Sequence, residues 1–168
     1  MTTNSGANSE GRKVADWTVM IYMVADEYVA KEKSKYYRNI RLLNVSGGNA
    51  TKCKDESVLH DDQLRCALIE SLKNGDYFTT ADHATYSLEV KQECIETVSE
   101  GTVQEARVIL RGILRNETTD TTIFNERFGS TFMAAYKDAF LPCSRVRLAI
   151  ERATQDCIKQ MIEKFSTS

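Results

Sequence analysis

The chain has 168 residues, with 22 Lys and Arg against 24 Asp and Glu, so its formal net charge at pH 7 is −2. This length is typical of one domain that buries a sizeable core. A charge this close to zero excludes a general attraction to nucleic acid or to an anionic membrane surface. One proline and eight glycines leave little turn chemistry, which favours long helices over many short strands. We therefore expect an all-α domain over residues 13–168, with five to seven helices around one core.

The termini and cysteines indicate a cellular location. Residues 1–12 are small and polar, which is typical of a flexible lead-in, and they lack the apolar segment of an export signal. The five cysteines are an odd, widely spaced set without a Cys-x-x-Cys pair: Cys53, Cys66, Cys94, Cys143 and Cys157. This pattern favours reduced thiols and an intracellular, cytoplasmic protein. No apolar run approaches the roughly 18 residues of a membrane span, so we expect no membrane association.

The first apolar stretch, Val14 to Val29, fits two structures. Its larger side chains follow a helical stripe, whereas Thr18 to Ala25 is a continuous run of β-prone residues. We favour a helix because no later segment offers partner strands, and a buried strand needs them to satisfy its backbone. Whether Thr18–Ala25 is helix or strand is left open.

The same stretch carries a family resemblance. Residues 16–26 (DWTVMIYMVAD) resemble the first core strand of clostripain-like cysteine peptidases. That family has a His followed by Gly and a Cys preceded by Asp-Ala. Here His60 precedes Asp61, His83 precedes Ala84, and no cysteine has the required context. The resemblance implies a degenerate peptidase without the active site.

A basic cluster follows, with two tyrosines among the charges. Its members are Lys31, Lys33, Lys35, Arg38 and Arg41. A solvated helix face explains such a run. The functional alternative is contact with an anionic ligand or with RNA, in which phosphates bind the basic groups and a base stacks on an aromatic ring. Because the net charge is slightly negative, we expect nucleic acid to be an unlikely partner.

Three helices are predicted in the middle of the chain. The first spans about 61–74, with a leucine stripe and Gly75 at its C-terminal end. The second spans about 79–99 and ends before Gly101. The third begins at a capping box, Thr102 to Glu105, and buries an aliphatic stripe.

The C-terminal third predicts a helical hairpin. Aromatic residues recur every four positions from residue 124 to 140, which places them on one helix face: Phe124, Phe128, Phe132, Tyr136 and Phe140. Pro142 ends that helix. A second helix from Ser144 to Phe165 has a nearly ideal apolar stripe. A connection this short makes the two helices antiparallel neighbours, and we expect this pair to form the core.

A second resemblance concerns the helical arrangement. Residues 49–51 (NAT), together with Arg127, Tyr136 and Pro142, resemble fragments of a phycobiliprotein, a globin-related helical pigment protein. The resemblance implies a globin-like arrangement and a small-ligand or pigment carrier. The cysteine that bears the bilin in that family is absent, so no cofactor-binding residue is carried over and no cofactor is expected.

No residues form a catalytic or metal site by their spacing. His60 and His83 are the only histidines, and neither has converging ligand partners. The hypothesis is therefore a non-enzymatic helical interaction module that binds a protein partner or a second copy of itself. Its interface is expected around an apolar centre with a charged rim on the last helix: Arg145, Arg147, Leu148, Glu151 and Arg152. The carrier and the degenerate peptidase are the alternatives.

Overall fold

The computed structural model describes residues 14–48, 52–53, 56–57 and 59–168. Its main feature is a mixed four-stranded sheet with two long helices on one face. The predicted all-α class is therefore wrong, and so are the helical bundle and the globin-like arrangement. The predicted flexible lead-in, residues 1–12, and the fragment at 49–51 lie outside the described residues.

The sheet combines one parallel crossover with an antiparallel meander. In order the elements are α1 (Trp17–Met20), a 3-10 turn (Asp26–Tyr28), β1 (Ile40–Ser46), β2 (Lys52–Cys53), β3 (Glu56–Ser57), α2 (Asp61–Asn74), β4 (Tyr86–Glu100), β5 (Val103–Asn116), β6 (Thr121–Ala134), α3 (Pro142–Lys164) and a 3-10 turn (Phe165–Thr167). The spatial order is β1-β4-β5-β6. β1 runs parallel to β4, and α2 lies between them in sequence. β4, β5 and β6 are antiparallel, while β2 and β3 pair separately.

Period-two alternation explains why residues 86–114 form strands rather than the two predicted helices. In β5 the buried positions are strictly alternate: Gln104, Ala106, Val108, Leu110, Gly112 and Leu114. Such alternation is the pattern of a half-buried strand. The supposed capping box lies instead at the β4–β5 turn, where Gly101 has φ +63°, a conformation that glycine adopts at little cost.

The aromatic repeat belongs to β6, so the predicted helical hairpin is wrong. A spacing of four is two strand periods as well as about one helical turn, and both structures place such residues on one face. Phe124 and Phe128 are buried and Phe132 is partly buried on the face that α3 covers. Tyr136 and Phe140 follow β6 and lie in a connecting loop.

The other two predicted helices are confirmed. α2 begins after His60 and ends at Gly75, as the sequence indicated. α3 begins at Pro142, slightly before the predicted Ser144, because proline fits the first helical turn, where its missing N–H costs nothing. α3 packs on β5 and β6, and α2 packs near β1. We call the face under these helices the covered face and the opposite one the open face.

One end of the core is closed by aromatic rings around Phe165. Its ring centroid lies 5.8 Å from that of Tyr36, 5.0 Å from that of Tyr77 and 6.0 Å from that of Phe124. These rings come from the segment before β1, the segment after α2, β6 and the 3-10 turn that follows α3. Phe165 therefore joins parts of the chain that are distant in sequence.

The ambiguous N-terminal stretch is neither a long helix nor a strand of the sheet. Trp17–Met20 forms a single turn capped by the Asp16 side chain, and extended chain follows. Side chains of the helices satisfy that extended backbone: Tyr22 N–H donates to Ser71 Oγ at 2.9 Å, and Ile21 O accepts from Gln155 Nε2 at 2.8 Å. Partner strands are therefore not needed here.

Glu151 fixes the start of this segment to α3. The side chain is only 1% exposed, and its Oε2 accepts a hydrogen bond from Asp16 N–H at 2.6 Å. Arg147 Nε lies 3.5 Å from the same oxygen. Burial raises the pKa of Glu151 from its ordinary 4.5 to about 7, because desolvation disfavours the carboxylate more than these contacts favour it.

Glu151→Gln should therefore flatten the pH dependence of stability. A raised folded pKa means that the native state binds more protons between pH 4.5 and 7, so wild-type stability falls as pH rises through that window. The whole shift corresponds to at most about 3 kcal/mol. Urea unfolding at pH 4.5 and pH 8 measures it, with Asp82→Asn, an exposed carboxylate, as control. Equal pH slopes in wild type and Glu151→Gln would refute this role.

Candidate interaction surface

Exposed apolar side chains gather at one end of the sheet. Val98 on β4 pairs with Glu105 on β5, and Glu105 pairs with Met133 on β6. Because α3 covers the alternate residues of these strands, these three side chains lie on the open face. Val98 is 55% exposed and Met133 is 59% exposed. Contiguous exposure of large apolar side chains is typical of a binding surface.

These residues line a shallow cavity of about 270 Å³, which we call the tip groove. Its walls are Val98, Glu100, Val103, Glu105 and Met133. Three apolar side chains and two carboxylates face the same space. The tip groove therefore favours a ligand that is mainly apolar and carries positive charge.

The loop from β6 to α3 forms a second exposed feature at the same end. We call Tyr136, Lys137, Phe140 and Leu141 the tip ridge. Phe140 is 69% exposed and Tyr136 is 51% exposed, and their rings meet edge to face with centroids 5.2 Å apart. Lys137 adds an exposed positive charge. The tip ridge thus presents two aromatic rings and the Lys137 charge, with the exposed Asp138 beside them, whereas the tip groove is apolar and acidic.

Arg145 holds the tip ridge in place. Its Nη1 donates to Ala139 O at 3.0 Å and to Phe140 O at 2.7 Å. Its guanidinium carbon lies 5.8 Å from the centroid of the Tyr136 ring, within the range of a cation–π contact. At 5% exposure, Arg145 acts from beneath the loop. The exposed rings are therefore supported by a buried cation.

The other residues predicted for the interface are placed differently along α3. Leu148 is half-buried and packs against the core. Glu151 is buried, and the half-buried Arg147 is paired with it. Arg152 is exposed. The structure thus brings only part of the predicted patch to the surface, and the patch as an interface stays a prediction.

The predicted basic cluster is divided between two elements. Lys31, Lys33 and Lys35 are exposed on a series of turns rather than on a helix. Arg38, on the same turns, pairs with Asp76 at 3.3 Å and lies over the Tyr37 ring. Arg41 belongs to β1. The hypothesis of an anionic ligand on the whole cluster stays a prediction.

The middle of the open face is occupied by an ion cluster. Glu93 accepts hydrogen bonds from Arg111 Nε at 2.7 Å and from Arg127 Nε at 2.6 Å. The hydrogen bond from Arg111, together with that from Arg127, holds the pKa of Glu93 below its ordinary value. Arg111 also donates to Asn125. The hydrogen-bonding groups of this cluster are thus paired with one another, and the pairs stabilise the surface of the sheet.

Two of the described cysteines have raised pKa values, which is the opposite of what a nucleophile needs. Burial raises the pKa of the Cys157 thiol to about 12, and burial with a hydrogen bond to Glu96 raises that of Cys94. A reactive cysteine needs a lowered pKa. Cys143 is disulfide-bonded. His60 precedes α2 and His83 is exposed; among the described residues no group of three His, Cys, Asp or Glu side chains could hold a metal ion.

Solved structures with the same architecture supply the comparison. Protein XCC0632 from Xanthomonas campestris, of the family DUF330, is 11% identical, with a TM-score of 0.57 over 74% of this chain and 81% of that chain. This chain has the same fold as these solved structures. Protein CT253 from Chlamydia trachomatis is 6% identical, with a TM-score of 0.56 over 77% and 98% of the two chains. A minor lipoprotein from Acinetobacter baumannii is 14% identical, with a TM-score of 0.50 over 78% and 92%.

These likenesses establish the architecture and leave the activity open. No family model and no curated protein matches the sequence. At such low identity the sheet-and-helix fold is what is shared, and it replaces the predicted globin-like arrangement. In the part of the chain that the structure describes, no helix has the length and apolarity needed to cross a membrane.

The tip groove and the tip ridge are not predicted by the sequence, because Val98 and Val103 fit helix stripes and Tyr136 and Phe140 fit the aromatic repeat. One signal was present: Lys137 and Asp138 interrupt the repeat next to Pro142, which is more typical of a loop than of a core helix. The pairing of Val98 with Met133 through β5 had no local signal.

Proposed function

We propose that this chain is a non-enzymatic assembly domain that binds a second copy of itself through the end of its sheet. The observation that carries the proposal is the exposure of the tip ridge beside the tip groove. Phe140, Met133, Val98 and Tyr136 are each more than half exposed, although their apolar surface would be stabilised by burial.

The Lys137 charge of the tip ridge is opposite to the two carboxylates of the tip groove. In a two-fold symmetric dimer, the tip ridge of one copy can enter the tip groove of the other, and the reverse contact follows by symmetry. Lys137 of one copy then approaches Glu100 and Glu105 of the other. Apolar contact at the centre with charged pairs at the rim is the usual anatomy of a protein interface.

Other occupants of this surface are less well supported. The two carboxylates of the tip groove disfavour nucleic acid and an anionic lipid surface. A different protein with an apolar and basic segment would also fit, and it becomes an outcome of the test below. The sheet-dominated fold does not fit a globin-like pigment carrier.

For location, we infer an oxidising compartment of the cell envelope rather than the cytoplasm expected from the cysteine count. The disulfide bond at Cys143 supports this inference, since structural disulfides are rare in the cytoplasm. One protein of the same fold is named a minor lipoprotein, which is consistent with the envelope. A fusion to a reporter active only outside the cytoplasm would test it.

Phe140→Asp should abolish self-association. The substitution places a charge at the centre of the apolar contact, so the dissociation constant should rise at least about tenfold, as expected for a central interface residue. Sedimentation velocity over a concentration series measures it. Leu43→Asp is the matched control, because Leu43 is also exposed but lies on β1, away from the tip.

A charge-reversal experiment distinguishes a specific dimer from nonspecific association. Lys137→Glu and Glu105→Lys should each weaken the dimer, and the double variant should restore part of the affinity by reversing the pair. A wild-type chain that is monomeric at every attainable concentration would overturn self-association. If that monomer captured a purified basic and apolar peptide through Phe140, the surface would belong to another partner.

A further inference from the structure

A second cavity lies at the outer edge of β1, on the opposite side of the sheet order from β6. Its volume is about 330 Å³, and it lies between β1, α2 and the segment after α2. Its lining includes Arg41, Leu43, Arg65, Phe78, Thr79 and Thr80. We call it the edge cavity. Residues that carry two guanidinium groups, two hydroxyls and an aromatic ring thus line one space.

The two arginines of the edge cavity, Arg41 on β1 and Arg65 on α2, differ from the arginines of β5 and β6. On β5 and β6, four arginines each have a carboxylate within 4.0 Å: Arg107, Arg111, Arg115 and Arg127. Arg41 and Arg65 form no ion pair within the described ranges. Arg65 Nη2 reaches only the Leu42 carbonyl, at 3.4 Å.

Arg41 has a buried hydrogen-bond donor without an acceptor in the described part of the chain. Its Nε is buried and has no acceptor among the described residues. The carboxylates at nearby positions of the sheet are already engaged: Glu89 accepts from Asn44, and Glu117 accepts from Ser87. A buried donor without an acceptor destabilises the folded state.

The rest of the lining describes the ligand further. Thr79 Oγ1 accepts from Ala81 N–H at 3.1 Å, which leaves its hydroxyl hydrogen available as a donor. Phe78 and Leu43 supply an apolar wall. A cavity of this size exceeds a bare inorganic ion and suits a small organic molecule.

We propose that the edge cavity binds an organic oxyanion, a carboxylate or phosphate group attached to a small apolar body. Arg41 and Arg65 bind the oxygens, since guanidinium forks match both groups in a bidentate manner. The hydroxyls of Thr79 and Thr80 complete the polar side, and Phe78 packs against the apolar body. This site is independent of the dimer proposed above.

Isothermal titration calorimetry of the full chain with phenyl phosphate and with benzoate tests the proposal. It also shows whether the site prefers a phosphate or a carboxylate group. We expect saturable binding of one molecule per chain for at least one probe. Arg41→Gln and Arg65→Gln should each weaken it at least about tenfold, as for loss of a charge-assisted hydrogen bond. Arg152→Gln, at an exposed arginine of α3, should leave it unchanged.

Phe78→Ala tests the apolar contact with the ligand. A purely electrostatic site would bind phenyl phosphate equally well with and without this ring. The substitution should weaken phenyl phosphate binding while leaving the weaker binding of inorganic phosphate unchanged. Arg41→Lys keeps the positive charge but loses the fork, so it should lower affinity without lowering the melting temperature. Absence of saturable heat with both probes would overturn the proposal, and so would an equal loss in Arg152→Gln.

Discussion

Phe165→Ala is expected to lower the free energy of unfolding by about 3–5 kcal/mol, the usual cost of emptying a buried aromatic site. Phe165 is only 2% exposed, and its ring contacts those of Tyr36, Tyr77 and Phe124. Removing it leaves a cavity between four separate parts of the chain, which cannot all move inward together. Urea unfolding followed by circular dichroism measures the loss.

Phe140→Ala is the matched control for this effect. The same side chain is removed, but Phe140 lies in the exposed tip ridge, so the loss should stay below about 1 kcal/mol. Comparable losses in the two variants would mean that Phe165 does not occupy the core as described. The dimer must be kept dissociated in both measurements, because association stabilises the folded state.

Breaking the disulfide at Cys143 is the second large expected effect. Cys143 is buried at the start of α3, next to the tip ridge, and it is disulfide-bonded. Cys143→Ser should lower the free energy of unfolding by about 2–5 kcal/mol, since cross-links restrict the unfolded chain. The melting temperature with and without reductant measures this effect.

Reductant gives the control within the same experiment. It should lower the melting temperature of the wild type and leave that of Cys143→Ser unchanged. Cys94→Ser should melt like the wild type, because Cys94 is a free cysteine. Alkylation of Cys143 in the unfolded wild type without any reductant would contradict the disulfide, and with it the support for an oxidising compartment.

The sequence was sufficient for α2 and α3 because their apolar stripes fit only the helical period. It was not sufficient for β6, where phenylalanines at 124, 128 and 132 fit both periods. The scarcity of glycine and proline correctly indicated long elements, but the prediction that these elements are helices was wrong. Three strands of 14 or 15 residues joined by tight turns need as few turns as long helices do.

The N-terminal segment shows a different limit. The sequence leaves helix and strand open there and favours a helix because no partner strand is visible, yet Gln63, Ser71 and Gln155 bind its backbone. Such partners are side chains from helices that are distant in sequence, and no local sequence pattern predicts them. The edge cavity was likewise not predictable, because Arg41 and Arg65 line one cavity only when β1 and α2 pack together.

Photo-crosslinking from position 140 tests the central claim most directly. A benzoyl-phenylalanine replaces Phe140, and copies with and without ¹⁵N are mixed so that links between copies can be recognised by mass. The account predicts links from position 140 of one copy to Val98, Val103 or Met133 of another. Links confined to one copy, or directed to any other surface, would contradict it.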